Sequence, residues 1–291
     1  MLETTGDKAL KAKEFEKAIA SYKEAIVLAP NPTDEAEFNH KIALCYRMIG
    51  DFRSYYTYER LAADHYKSIE GPVSTGQSAD FLKEAGDVLS IASLRDLSRL
   101  AYAKASEYFR DTSGLEEETD MQLAWAAWAE VCEAKSLSPP ESKAHWLEAA
   151  VAFEEAARAS EPEFQESRLS RSHQCYAMAN LASGDIAGAA RELNKARGYR
   201  KDDDRLAIAT LAIDCLLALT NETTFEGAEQ GHAKETVSGV TKLTKHIERV
   251  ANYGSDLTNA LRVLAQRLAR PGGPNKEEKL VLARTVETFA L

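Results

Sequence analysis

The sequence predicts an all-α fold, built as a right-handed stack of antiparallel helix pairs, and three observations predict it. Alanine, leucine, glutamate and lysine dominate nearly every window, which favours helix, and strand-like alternation of β-branched residues is almost absent. The 8 prolines and 15 glycines fall mostly where helices should join. A spacing of small, then aromatic or aliphatic, then small residues at i, i+4 and i+7 recurs along the chain, placing all three on one packed helix face. At 291 residues and 44% apolar composition the chain has the surface to fold. Arrays in which each unit touches only its neighbours outgrow the usual single-core limit.

The first pair opens with Gly6-Asp7-Lys8-Ala9 and continues from Glu14 to Ala25 before Pro30. Gly6, Ala18 and Ala25 sit where two helices must touch, Phe15 fills the turn, Tyr22 packs inward, and Pro30 cannot extend the second helix. This ordering resembles the tetratricopeptide repeat, a helix–turn–helix unit of about 34 residues with small, aromatic and proline positions in this order. The resemblance implies a unit that must stack on further copies to bury its apolar face, and a stack that serves as a binding scaffold.

A second unit spans about 35–67, with Ile42, Ala43 and Tyr46 on one face and Gly50-Asp51-Phe52 in the turn. Tyr55 and Glu59 stand where Ala18 and Tyr22 stood, so this pair is expected to splay. Gly71-Pro72 and Gly76 should break the chain ahead of a third unit, carried by Ala85 and Gly86, then Ala101, Ala105, Tyr108 and Phe109. The acidic stretch around Glu116, Glu117 and Glu118 suits solvent and the start of the next helix. In the fourth unit Ser138-Pro139-Pro140-Glu141 makes a longer turn, Trp146 takes the turn position, and Ala149, Phe153 and Ala156 face inward. The fifth has Gly184-Asp185-Ile186 in its turn, then Ala189, Leu193 and Ala196.

Beyond Tyr199 the period loosens. Helices are expected over 206–219, 233–251, 257–269 and 277–290, with a break at Pro271-Gly272-Gly273-Pro274 and a last helix that caps the stack. The expected organisation is therefore a repeat array over 1–200 and a continuous C-terminal helical bundle over 201–291, about fourteen helices in all.

The helix number, the change from repeat-like to bundle-like packing, and the phrase Ala85-Gly86-Asp87-Val88 followed by Ala101-Tyr102 and Ala105-Ser106-Glu107-Tyr108-Phe109 resemble the soluble NSF attachment protein (SNAP) family. That resemblance implies a cytoplasmic adaptor that grips a SNARE helical bundle and recruits a disassembling AAA ATPase in vesicle trafficking. No phenylalanine- and glycine-rich segment of the family's kind precedes Lys23, and the chain reads Phe289-Ala290-Leu291 where the family has an acidic tail.

Composition narrows the chemistry. A net charge of −10 argues against general nucleic-acid binding, which needs clustered Lys and Arg. No apolar run approaches the roughly 20 residues that span a bilayer, and the N-terminal residues lack a basic segment followed by an apolar core. Cys45, Cys132, Cys175 and Cys215 lie far apart in apolar stretches and read as core thiols of a reducing compartment. The six histidines are scattered, with His145 and His173 placed beside helix starts, and no His-Glu-x-x-His, phosphate loop or nucleophile elbow occurs. No catalytic residue, cofactor or metal is expected. Asp202-Asp203-Asp204 lacks calcium-loop spacing and reads as the acidic opening of a helix.

A basic bias appears from Lys234 to Arg270, with seven basic residues against three acidic ones. Lys242, Lys245 and Arg249 share a face there, either as solvation or as a docking patch for an acidic partner. The expected contacts of a partner are Tyr46 and Arg47 on the concave first-helix face and Lys242, Lys245 and Arg249 for electrostatics. Glu3, Asp7, His40 and Leu44 occupy the places where chaperone-binding repeats carry a carboxylate clamp, so no such clamp is expected. Three function classes follow: a protein–protein adaptor, SNAP-like or a generic scaffold; an enzyme subunit or regulator that uses the repeats to sense a ligand; and a peripheral binder of anionic lipid through the basic helices.

Overall fold

A computed structural model describes residues 2–29, 31–69, 71–222, 238–245, 247, 261–264, 266 and 276–291. Among them every regular element is helical. In chain order these are α1 (Leu2–Lys11), α2 (Phe15–Val27), α3 (Pro32–Ile49), α4 (Phe52–Lys67), α5 (Pro72–Ile91) and α6 (Arg95–Leu115). They continue as α7 (Thr119–Ser136), α8 (Pro139–Ala159), α9 (Pro162–Ala182), α10 (Ile186–Tyr199), α11 (Asp204–Glu222) and α12 (Lys276–Phe289). Helical stretches at 238–245 and 261–264 bring the number among the described residues to fourteen.

The chain forms two compact units, residues 1–90 with 94–137, and residues 91–93 with 138–291. In the first, α1 packs on α2, α2 on α3, α3 on α4, and α6 on α7. In the second, α8, α9, α10 and α11 pack in sequence, and α12 packs on α11. Neighbour-on-neighbour packing of this kind is what a tetratricopeptide-like repeat requires.

Local chemistry explains the boundaries. Asn31 caps α3 by accepting from Asp34 N at 3.0 Å, with Pro32 at its first turn. The turns into α4 and α10 share one design: Gly50 and Gly184 take φ of 87° and 80°, and Asp51 and Asp185 accept from Ser54 N and Gly188 N at 3.1 and 2.7 Å. Asp203 accepts from Leu206 N at 3.0 Å, so the acidic triplet does open α11.

Some expectations change. Gly76 breaks nothing: it lies inside α5, where an added Cβ would touch the Trp125 ring at 3.4 Å, so it is a packing glycine. Trp146 lies inside α8 and is buried, because Pro139 and Pro140 start that helix earlier than the turn reading assumed. His145 and His173 are likewise interior to α8 and α9. Tyr55 is fully buried in one cluster with Ala43 of its own pair and with Ala85, Val88, Leu89 and Ala101 of the next.

Candidate partner-binding site

The first unit is held by a three-helix pin that occurs twice. Tyr22 of α2 donates to Asp7 Oδ1 of α1 at 2.6 Å, and Lys41 of α3 reaches the same carboxylate at 3.3 Å. Tyr102 of α6 donates to Asp87 Oδ1 of α5 at 2.6 Å, and Lys135 of α7 donates there at 2.9 Å. Each pin ties the two helices of a pair to the first helix of a following pair. Burial alone would raise the Asp7 carboxyl, but the Tyr22 hydroxyl and the Lys41 ammonium outweigh it and hold it below its ordinary value. Asp87 is deeper and also takes Lys83 at 3.2 Å, while Lys83 and Lys135 lie over the Trp128 and Tyr102 rings.

The pins set a seam between α3 and α5. Its floor is a ring stack: His40 lies on Phe81 with centroids 4.5 Å apart and planes at 15°, and Phe81 meets Tyr66 at 5.5 Å. Behind His40, its Nδ1 stands 3.0 and 3.1 Å from the two oxygens of buried Glu59 of α4. Burial disfavours the imidazolium, yet the hydrogen bond and charge of Glu59 prevail and His40 is raised above its ordinary value. Burial raises Glu59 as well, partly offset by His40. At the end of the seam Arg47 of α3 donates to Glu84 of α5 at 3.1 Å.

Along α3, Glu37, Lys41, Leu44 and Met48 fall on one helix face, and Val73, Gln77, Asp80 and Glu84 do so on α5. All are exposed or half-buried. The seam thus has an aromatic floor and mixed walls: Glu37, Asp80 and Glu84 are acidic, Lys41 is basic, Gln77 is neutral, and Leu44, Met48 and Val73 are apolar.

The expected contact residues are placed unequally. Arg47 is on the seam, half-buried and paired with Glu84. Tyr46 is half-buried and turns to the second helices instead, stacked on Tyr58 at 5.4 Å beneath Lys23. In the second unit Lys242 and Lys245 are exposed while Val240, Leu243 and Ile247 are fully buried. An added Cβ on Gly239 would meet Cys215 Sγ at 2.8 Å, which sets that stretch against α11. Arg249 lies outside the described residues. His40, Glu59 and Phe81 escaped sequence reasoning; a histidine and a glutamate 19 residues apart across a tight helix turn are the available signal, repeated as His173 and Glu192 at 2.8 Å.

Nucleophilic cysteine chemistry is closed at these sites. Burial pushes the Cys132 and Cys215 thiols to about 12 and Cys45 to about 11. No described helix is long and apolar enough to cross a membrane.

No family model matches this chain, and no curated protein matches it. Solved structures do. The chain is similar to the apo form of RapI at 14% identity and a TM-score of 0.51, over 93% of this chain and 98% of that one. It also aligns with the TPR2AB domain of yeast Sti1 in its pHSP90 complex, at 15% identity and a TM-score of 0.28, over 92% of this chain and 95% of that one. Yeast Tom70 aligns at 12% identity and a TM-score of 0.26, over 92% and 75%. The fold is that of a tetratricopeptide-like helical repeat protein, which the RapI likeness supports.

Proposed function

We propose that this chain is a non-enzymatic protein-binding scaffold that holds a partner segment against the first-helix face of its N-terminal unit. The observation that carries the reading is the α3–α5 seam, a half-buried aromatic floor of His40 and Phe81 between walls of mixed charged and apolar residues on a pinned stack. A stack of pairs tied by two such pins, one buried and one half-exposed, presents a preformed face and so lowers the ordering cost of binding.

A narrower version is a SNAP-like adaptor for a SNARE helical bundle and an AAA ATPase. The exposed Lys242 and Lys245 on a buried-faced helical stretch would serve its electrostatic contacts. The sequence features behind it, helix number and an alanine-rich third pair, belong equally to a generic scaffold, which needs no SNARE. A C-terminal bundle from residue 201 onward is our proposal for where the repeat period ends, and a cytoplasmic location is part of the same reading.

Crosslinking pull-downs separate these. Wild type is compared with Arg47→Glu/Gln77→Arg on the seam and with Lys242→Glu/Lys245→Glu. A partner lost only with the seam variant supports the scaffold reading; SNAREs and a hexameric ATPase lost only with the lysine variant support the narrower one. Partners that survive both variants contradict both.

A further inference from the structure

The pair α1–α2 and the pair α5–α6 are copies offset by 80 residues. Gly6 and Gly86, Asp7 and Asp87, and Tyr22 and Tyr102 coincide, as do the only positive-φ non-glycine residues among those described, Lys13 at 60° and Ser93 at 61°. Glu14 N donates to Ala9 O at 2.9 Å, and Leu94 N donates to Leu89 O at 2.9 Å. An added Cβ at Gly6 or Gly86 would stand 2.5 or 2.6 Å from the ring of Tyr22 or Tyr102. The second copy therefore shows what such a pair receives on its outer groove.

On α5–α6 that groove is filled. Ala85, Val88, Leu89 and Ala101 are buried against Ala43 and Tyr55, with Leu94 and Leu97 beside them, and Phe52, Tyr56 and Tyr58 of α4 complete the packing. The 80-residue offset maps these six groove residues onto Thr5, Lys8, Ala9, Glu14, Lys17 and Ser21. Those six line an open groove of about 530 Å³ between α1 and α2. Small residues are kept at its centre, so there is room for rings. The rim has changed: Val88, Leu94 and Leu97 become Lys8, Glu14 and Lys17, with Lys17 bonded to Glu14 at 2.8 Å, and residues 8–17 carry four lysines against two glutamates in a chain of net charge −10.

We propose that this groove is a second docking site, for an amphipathic helix of another protein that presents aromatic residues at i and i+3 or i+4 and carboxylates along its edges. The aromatic requirement comes from α4, whose Phe52, Tyr55 and Tyr56 have that spacing and occupy the equivalent place. The carboxylates answer the lysine rim. A second copy of this chain does not fit, because its α4 brings Arg53 and Arg60 and its own rings are already seated. The site stands apart from the α3–α5 seam and does not depend on it.

The test uses the full chain and two labelled peptides of residues 51–67, one unchanged and one with Arg53→Glu and Arg60→Glu, followed by fluorescence anisotropy. The acidic peptide should bind at least tenfold more tightly than the unchanged one. Lys8→Glu/Lys17→Glu should invert that ranking, and Ala20→Trp, which fills the groove mouth, should abolish binding of both. All three positions are exposed, so the melting temperature should hold. Binding of neither peptide to wild type, equal binding of both, or binding indifferent to Ala20→Trp overturns the proposal. The seam variant Arg47→Glu/Gln77→Arg should leave peptide binding unchanged, so failure here and failure of the scaffold reading are read separately.

Discussion

The two copies of one helix pair, α1–α2 and α5–α6, keep the same glycine contact, the same tyrosine–aspartate bond and the same left-handed turn residue, yet their surroundings diverge. Asp87 is 8% exposed and answered by two lysines at 14% and 6%, whereas Asp7 is 36% exposed and answered by Lys41 at 24%. One pin is a buried ionic hub; the other is half in water. The lesson is that the pin defines the pair, and the residues outside it decide whether the pair is covered by a neighbour or left open.

Removing the two aspartates should break the comparison most sharply. Asp87→Ala strands Lys83 and Lys135 in the interior and should cost about 3–5 kcal/mol, while Asp7→Ala should cost about 1 kcal/mol because solvent still reaches Lys41. Urea midpoints of the two variants would show it, and equal losses would mean that burial does not separate the pins. The glycines should instead behave alike. Gly86→Ala and Gly6→Ala both drive a Cβ into a tyrosine ring, so each should lose about 1–3 kcal/mol, measured in the same way. A loss confined to one of them would deny that the close approach is shared.

A pH series sharpens the contrast between the seam and the pins. His40 is raised above 6.5 in the fold, so the stability it supplies is complete below pH 6.5 and disappears as pH rises through its folded value. Asp7 is lowered below 3.8, so its contribution is present above that pH and is lost on acidification through its folded value. His40→Gln should therefore flatten the alkaline fall of the melting temperature, while the loss carried by Asp7 on acidification remains. The smallest effect belongs to Lys17→Leu, which restores the residue type of the covered copy on an exposed rim and should change stability by no more than about 0.5 kcal/mol.

Much of this was legible in the sequence. The pairing of helices follows from alanine and glycine spacing, and Asp51, Asp185 and Asp203 announce helix starts because an N-cap needs only the next three residues. Gly76 misled because a glycine that makes room for a tryptophan 49 residues away looks the same as one that ends a helix. The 80-residue copy is hard to see because the two segments share only Gly-Asp, Tyr and two alanines between residues 5 and 27, and the groove residues differ at every mapped position. His40 on Phe81 was not legible, because it needs a contact 41 residues apart that only the stacking of pairs creates.

The central claim is that the first-helix face of the N-terminal unit receives a protein partner. Photocrosslinking amino acids placed singly at Leu44 and Gln77 on that face, and at Arg60 on α4 as a second-helix control, test it in native lysate. One common crosslinked partner is expected from Leu44 and Gln77, reduced by Arg47→Glu, and none from Arg60. A partner captured from Arg60 alone, or no specific crosslink from either seam position, would contradict it.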